Sequence, residues 1–180
     1  MHPATHAKTD PDRVAYLMAS SGETVTYGQL NDRSNQGAQL FRSLGLNVGD
    51  VIAIFMENNA RYFEIAWAAQ RAGLYYTCIS SKLTAQEAAY ITKDCGAQVL
   101  ISSPGIGPVF DEMPALLPGL KLFAVGGARG AYAGFEDARD AMPAEEIADQ
   151  TSGSDMLYSS GTTGRPKGVK PPLKGVGIDV

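Results

Sequence analysis

Apolar residues along this chain alternate between two spacings. "DVIAIFM" (50–56) is an almost unbroken apolar run, and "YYTCIS" (75–80), "QVLIS" (98–102) and "LKLFAV" (120–125) are short runs rich in aliphatic and aromatic residues. Runs of this length and character are expected for strands covered on both faces, as in a parallel sheet. Between them the spacing changes to three and four. In "TYGQLNDRSNQGAQLFRSLG" (26–45), Leu30, Ala38, Phe41 and Leu44 lie near one helical face, Thr26 and Gln29 form a capping-box pair, and Gly45 supplies the stop. "NNARYFEIAWAAQRAG" (58–73) predicts a second helix, with Asn58 or Asn59 as its cap and Gly73 as its end. "LTAQEAAYITKDCG" (83–96) predicts a third, opened by Thr84 with Glu87 and closed by Gly96.

The remaining elements are shorter. "RVAYLMA" and "ETVTY" read as two strands around a turn at "SSGE", "GPVFDEMPALL" as a helix bent or broken by Pro114, "FEDARDAM" as a short helix, and "DMLY" (155–158) as a last strand. Two glycine-rich breaks, 103–108 and 126–134, read as surface loops and do not match G-x-G-x-x-G. Residues 1–10 read as a loose tail, and 11–180 as the folded part. Strand and helix alternate at short intervals, which predicts an α/β fold: a mostly parallel sheet flanked by helices, with right-handed crossovers.

Composition removes several function classes. Of 180 residues, 44% are hydrophobic and 19% charged, as in an ordinary soluble domain, and the formal net charge of −4 argues against a nucleic-acid partner. No segment reaches the roughly 18 apolar residues of a membrane span, and "MHPATHAKTDPDR" lacks the apolar core of a signal peptide. The two cysteines, Cys78 and Cys95, read as small buried hydrophobes in a reducing, cytoplasmic setting. His2 and His6 are the only histidines and both fall in the polar tail, which excludes a histidine-based triad and leaves no basis for a zinc site.

One stretch has a composition no core could use. "YSSGTTGRPKGV" (158–169) combines two serines, two threonines, three glycines and a lysine. Glycines free the backbone to turn successive N–H groups toward an anion, hydroxyls add donors, and Lys167 adds a point charge suited to phosphate. It is not a Walker A loop, because Pro166 stands where the second glycine would be. Nor is it the G-x-S-x-G elbow of serine hydrolases, since Leu157 replaces the first glycine. Pro166 and Val169 predict that the chain leaves the loop extended, so the binder would be a backbone nest with no helix dipole behind it.

This stretch closely resembles the AMP-binding signature of the adenylate-forming superfamily, which includes acyl-CoA synthetases, peptide-synthetase adenylation domains and firefly-type luciferases. The fixed positions are matched from Ser159 through Val169. "TYGQLNDRSNQGAQLFRSLGLNVGDVIAIFMENNARYFEIAWAAQRAGLYY" and "SSKLTAQEAAYITKDCGAQVLI" extend the likeness over roughly residues 10–170. The resemblance implies the first part of the large N-terminal domain of an acyl-CoA synthetase-like fold. It also implies that Ser159, Ser160, Gly161, Thr162, Thr163, Gly164 and Lys167 hold the β- and γ-phosphates of ATP. The reaction so implied joins a carboxylic acid, expected to be a fatty acid, to Mg2+–ATP as an acyl-adenylate, releasing pyrophosphate; coenzyme A then displaces AMP.

The likeness also implies what lies elsewhere. The superfamily's later motifs, which supply the magnesium carboxylate, the ribose aspartate and a lysine of the C-terminal domain, have no counterpart here, and no histidine follows the signature: "GVKPPLKGVGIDV" comes instead. The catalytic residues are therefore expected beyond Val180. The expectation is an N-terminal piece of a longer ligase, inactive alone, with surface exposed by truncation that favours a dimer or higher oligomer. The alternative is a truncated, non-catalytic nucleotide-binding or interaction module.

Overall fold

The computed structural model describes residues 2–159 and 165–178. The central strand β3 (Val51–Phe55) is buried at every position. Its side chains alternate between two cores. Ile52 and Ile54 face a cluster with Phe41, Ile65 and Phe135, whereas Ala53 and Phe55 face a cluster with Ala88, Phe110 and Met113. The first layer is made by α2 (Tyr27–Ser43), α3 (Arg61–Arg71) and α6 (Phe135–Asp140), the second by α4 (Ala85–Asp94) and α5 (Val109–Leu116).

β3 pairs in parallel with β4 (Tyr75–Ile79) on one side and β5 (Ala97–Ser102) on the other. Beyond β5 lie β6 (Lys121–Ala124) and the two-residue β7 (Ala133–Gly134); beyond β4 lies β8 (Ser154–Asp155). The six-stranded sheet runs β7-β6-β5-β3-β4-β8 and every pairing in it is parallel. β1 (Val14–Leu17) and β2 (Thr24–Thr26) form a separate antiparallel pair. β7 falls inside the glycine-rich 126–134 segment, which thus contributes a sheet edge as well as a loop.

The capping boxes expected from the sequence are realised, Thr26 with Gln29 at α2 and Thr84 with Glu87 at α4. At α3 the cap is Ala60, which has no side-chain oxygen to offer, and not Asn58 or Asn59; the Asn59 side chain, just outside the helix, accepts from the Arg61 N–H at 2.9 Å. Gly45, Gly73 and Gly96, which follow the three helices, all take positive φ. Pro114 does not break α5. A proline there removes the N–H that would bond the Phe110 carbonyl, and the Tyr132 hydroxyl takes its place, donating to that oxygen at 2.9 Å.

Two expectations are corrected by the structure. Residues 1–10 are not a loose tail: α1 spans Pro3–Thr9, with His2 as cap and Pro3 at the first turn. A polar composition hid it, but Ala4 is buried and the His2 ring meets Trp67 edge-on with centroids 4.7 Å apart. "DMLY" is not one strand either. β8 ends at Asp155, and Leu157–Ser159 leave the sheet as a different strand, β9. At the other end of the chain, Asp179 and Val180 lie outside the described residues.

The helical layer of α2, α3 and α6 is joined by charge as well as by packing. Glu64 on α3 is wholly buried, and Arg33 of α2, Arg61 of α3 and Arg139 of α6 converge on its carboxylate, Arg33 at 2.8 Å and Arg61 at 3.4 Å. Burial pushes the Glu64 pKa up, and the three guanidinium charges oppose that shift. Close approach of α2 and α3 depends on Gly37, where a Cβ would lie 2.6 Å from that of Ala68.

Two substitutions test this arrangement. Glu64→Ala removes the buried carboxylate that Arg33, Arg61 and Arg139 share, leaving Arg61 with Glu23 and Arg139 with Asp140, and is expected to lower urea-measured stability by about 3 kcal/mol; a loss below about 1 kcal/mol would show that the cluster does not join the layer. At Gly153 a Cβ would lie 2.2 Å from the Leu74 carbonyl oxygen. Gly153→Ala is expected to cost about 1–3 kcal/mol and to speed amide exchange at Ser154 and Met156, which bond the Leu74 and Tyr76 carbonyls, while exchange in β3 stays slow.

Candidate functional site

The signature stretch forms the end of an antiparallel hairpin. β9 (Leu157–Ser159) pairs with β10 (Lys167–Val169), placing Lys167 opposite Ser159, Gly168 opposite Tyr158 and Val169 opposite Leu157. Of the seven expected phosphate contacts, the hairpin brings Ser159 and Lys167 together at its open end, where the Ser159 hydroxyl donates to the Lys167 carbonyl at 3.5 Å. Ser160, Gly161, Thr162, Thr163 and Gly164 lie outside the described residues. So does Val180, the residue beyond which the catalytic groups are expected, and the described residues therefore place none of those groups. The extended exit expected from Pro166 and Val169 is observed, with β10 directly after Pro166.

Gly168 is required by its neighbours. A Cβ there would lie 2.7 Å from the Met156 methyl and 2.9 Å from the Tyr158 ring, so glycine lets the tyrosine lie against the opposite strand. The Tyr158 hydroxyl reaches across to α4 and donates to Asp94 at 2.6 Å. Desolvation, reinforced by that hydrogen bond, pushes the Tyr158 pKa up, so the hydroxyl remains a donor. On the other arm the Arg165 guanidinium lies 5.2 Å from the Tyr90 ring centroid, and the Tyr90 hydroxyl is 3.5 Å from the Pro166 carbonyl.

The chain after Val169 returns along the sheet edge. The Lys170 ammonium sits 4.4 Å from the Tyr75 ring centroid, and the Tyr75 hydroxyl donates to the Pro171 carbonyl at 2.5 Å. The Thr151 hydroxyl and the Ser152 N–H both donate to the Val176 carbonyl. A small cluster of Val51, Tyr75, Cys95 and Met156, with Tyr158 and Leu173 against it, closes the base of the hairpin. Tyr90, Asp94 and Tyr158 as a group are not apparent in the sequence, because 64 positions separate Asp94 from Tyr158.

A second concavity of about 730 Å³ opens at the carboxyl ends of β3 and β4. The sheet's switch point, where ligands of open α/β folds bind, lies one gap away, between β3 and β5, whose connections leave toward opposite edges of the sheet. Met18, Met56, Tyr62, Phe63, Asn59 and Cys78 contribute to the wall of the concavity, and among the described residues no lysine or arginine does. Such a lining suits a neutral or apolar group and offers no charge to a phosphate. Cys78 is exposed on this wall, not buried as expected, whereas Cys95 is buried. Desolvation pushes the Cys78 pKa up, which keeps the thiol protonated and poorly nucleophilic.

Comparison with known proteins places this geometry. Residues 4–171 match the AMP-binding enzyme family. A fatty acid–acyl-carrier-protein ligase, ScoC of Streptomyces coeruleorubidus, is 34% identical over 164 residues, covering 91% of this chain and 31% of its own. A long-chain-fatty-acid–CoA ligase of Mycobacterium tuberculosis is 33% identical over 168 residues, covering 91% of this chain and 32% of its own. Among solved structures, the anthranilate CoA ligase AuaEII, in complex with anthranoyl-AMP, superposes with a TM-score of 0.82 at 25% identity, covering 93% of this chain and 33% of that one. The chain thus spans about a third of the length of these two fatty-acid ligases. With its parallel sheet, its strand-flanked signature hairpin and a match that runs through nearly all of its residues, the chain belongs to the AMP-binding enzyme family.

Proposed function

We propose that this chain is the N-terminal portion of an acyl-CoA synthetase, and that its hairpin loop holds the β- and γ-phosphates of ATP while a carboxylic acid, most simply a fatty acid, is activated for transfer to coenzyme A. The observation that carries this reading is the pairing of Ser159 with Lys167 at the open end of β9 and β10. A hydroxyl and an ammonium at the two roots of a glycine- and threonine-rich loop form the donor set of a polyphosphate site. Ser160, Gly161, Thr162, Thr163 and Gly164 complete the set in this reading, and the groups that act on the acid fall beyond Val180.

The loop's contribution is positional and electrostatic. It fixes the pyrophosphate portion and offsets the charge that builds on it as the acid attacks the α-phosphate. Among the described residues no three His, Cys, Asp or Glu side chains gather as a metal site. Magnesium is assigned to the nucleotide, and no residue described here is assigned to magnesium. The apolar wall between β3 and β4 suits the uncharged part of a substrate and not its phosphates. No helix among the described residues is long and apolar enough to cross a membrane. Cys78 and Cys95 are both free thiols, which fits the reducing cytoplasm we infer as the protein's setting. Leu157 and Val169, partners across the hairpin, are 58% and 61% exposed. They form part of the surface through which we infer self-association of the chain when it is isolated.

Two measurements test the reading. ATP–pyrophosphate exchange should be catalysed by the native gene product, purified with proteases inhibited, in the presence of a suitable carboxylic acid, and not by the 180-residue chain alone. Exchange by the short chain would refute its dependence on the remainder. ATP at about 100 times its Kd should stabilise the short chain by about 2.7 kcal/mol, and Lys167→Ala should abolish most of that gain. Stabilisation without exchange by the native product would favour a non-catalytic nucleotide-binding module.

A further inference from the structure

We propose that Asp94 and Tyr90 of α4 are positioning residues for the signature hairpin, holding Ser159 and Lys167 at the separation a polyphosphate requires. This rests on the phosphate-binding reading above and adds residues that no part of the signature contains. Three contacts carry it. Tyr158 donates to Asp94 at 2.6 Å, which ties down β9 one residue before Ser159. Arg165 lies over the Tyr90 ring, two residues before Lys167. The Tyr90 hydroxyl lies between two acceptors, the carbonyl of Pro166, the residue next to Lys167, at 3.5 Å and Asp94 Oδ1 at 3.4 Å. Both arms are thus fixed to one helix immediately beside the two residues that must act together.

The helix dipole does not account for Asp94, although its Oδ1 accepts from the Tyr90 hydroxyl, one turn earlier in the same helix, at 3.4 Å. Asp94 is the last residue of α4, where the helix presents its partial negative charge and a carboxylate is disfavoured. It is exposed and takes part in none of the salt bridges among the described residues; the Tyr158 hydroxyl donates to its Oδ2 at 2.6 Å and the Tyr90 hydroxyl more distantly to its Oδ1. A hydrogen bond of this length to an ionised acceptor belongs to the stronger class. The pairing of β9 with β10 spans three residues on each side and lies outside the six-stranded sheet. A hairpin so short is marginal without further support, and α4 supplies that support.

The test uses the 180-residue chain with inorganic pyrophosphate as the probe, in three variants: Asp94→Ala, Asp94→Asn and Tyr158→Phe. The phenylalanine keeps the ring against Gly168, and the asparagine keeps an acceptor for the tyrosine. Asp94→Ala and Tyr158→Phe are expected to speed amide exchange in 157–159 and 167–169 and to weaken pyrophosphate binding, each about tenfold. Asp94→Asn should recover most of both effects. The thermal midpoint of Asp94→Ala should not fall, because the substitution removes an acid from the C-terminal end of a helix. Unchanged affinity in Asp94→Ala and Tyr158→Phe, with wild type binding normally, overturns the positioning role alone. A loss of affinity matched by a fall in midpoint that Asp94→Asn does not restore also overturns it, in favour of a purely structural contact. Failure of the wild type itself to bind pyrophosphate overturns the phosphate reading and the positioning role with it.

Discussion

The fold rests on β3. Every side chain of this strand is buried, and both of its edges are paired. A strand in that position favours apolar residues, and "VIAIF" carries no others. Its alternation sends Ile52 and Ile54 into one helical layer and Ala53 and Phe55 into the other, so the two layers are built on four consecutive residues of one strand. Displacement of β3 would shift β4 and β5 together, and with them the switch point and the sheet edge that leads to the hairpin. The site is peripheral, but its frame is set at the centre.

Charge completes what apolar packing begins. Glu64 and its three arginines join α2, α3 and α6 on one face. The other face has no equivalent cluster of ion pairs among the described residues: α4 and α5 pack through Ala88, Phe110 and Met113, and the Tyr132 hydroxyl repairs the gap left by Pro114. The signature hairpin lies against this second face, through α4. The more heavily tied layer is therefore not the one the hairpin meets, and the hairpin is held by polar contacts with α4 and by the small apolar cluster at its base.

Local rules made much of this legible. Apolar runs located β3 to β6, and capping pairs located the starts of α2 and α4, because strand burial and helix capping depend on neighbours a few residues apart. The parallel sheet followed from the alternation of elements. What escaped depends on distant partners. α1 is short and polar, and it is ordered by burial of Ala4 and by contact of His2 with Trp67. β8 and β7 have two residues each and exist by pairing with longer strands. The exposure of Cys78 follows from the open carboxyl end of β4, which its apolar neighbours do not disclose. At the site, the signature pointed to Ser159 and Lys167 with their loop, whereas Asp94 and Tyr90 became visible only when the chain brought α4 against the hairpin.

The hairpin, and not the cavity between β3 and β4, is the place assigned to the nucleotide's phosphates. A crystal structure of the protein with bound ATP would decide between the two. Phosphate oxygens should then lie within hydrogen-bond distance of the Ser159 hydroxyl and the Lys167 ammonium, with Tyr158 still bonded to Asp94. Phosphates lodged among Met56, Asn59 and Tyr62, with Lys167 turned to solvent, would contradict that assignment.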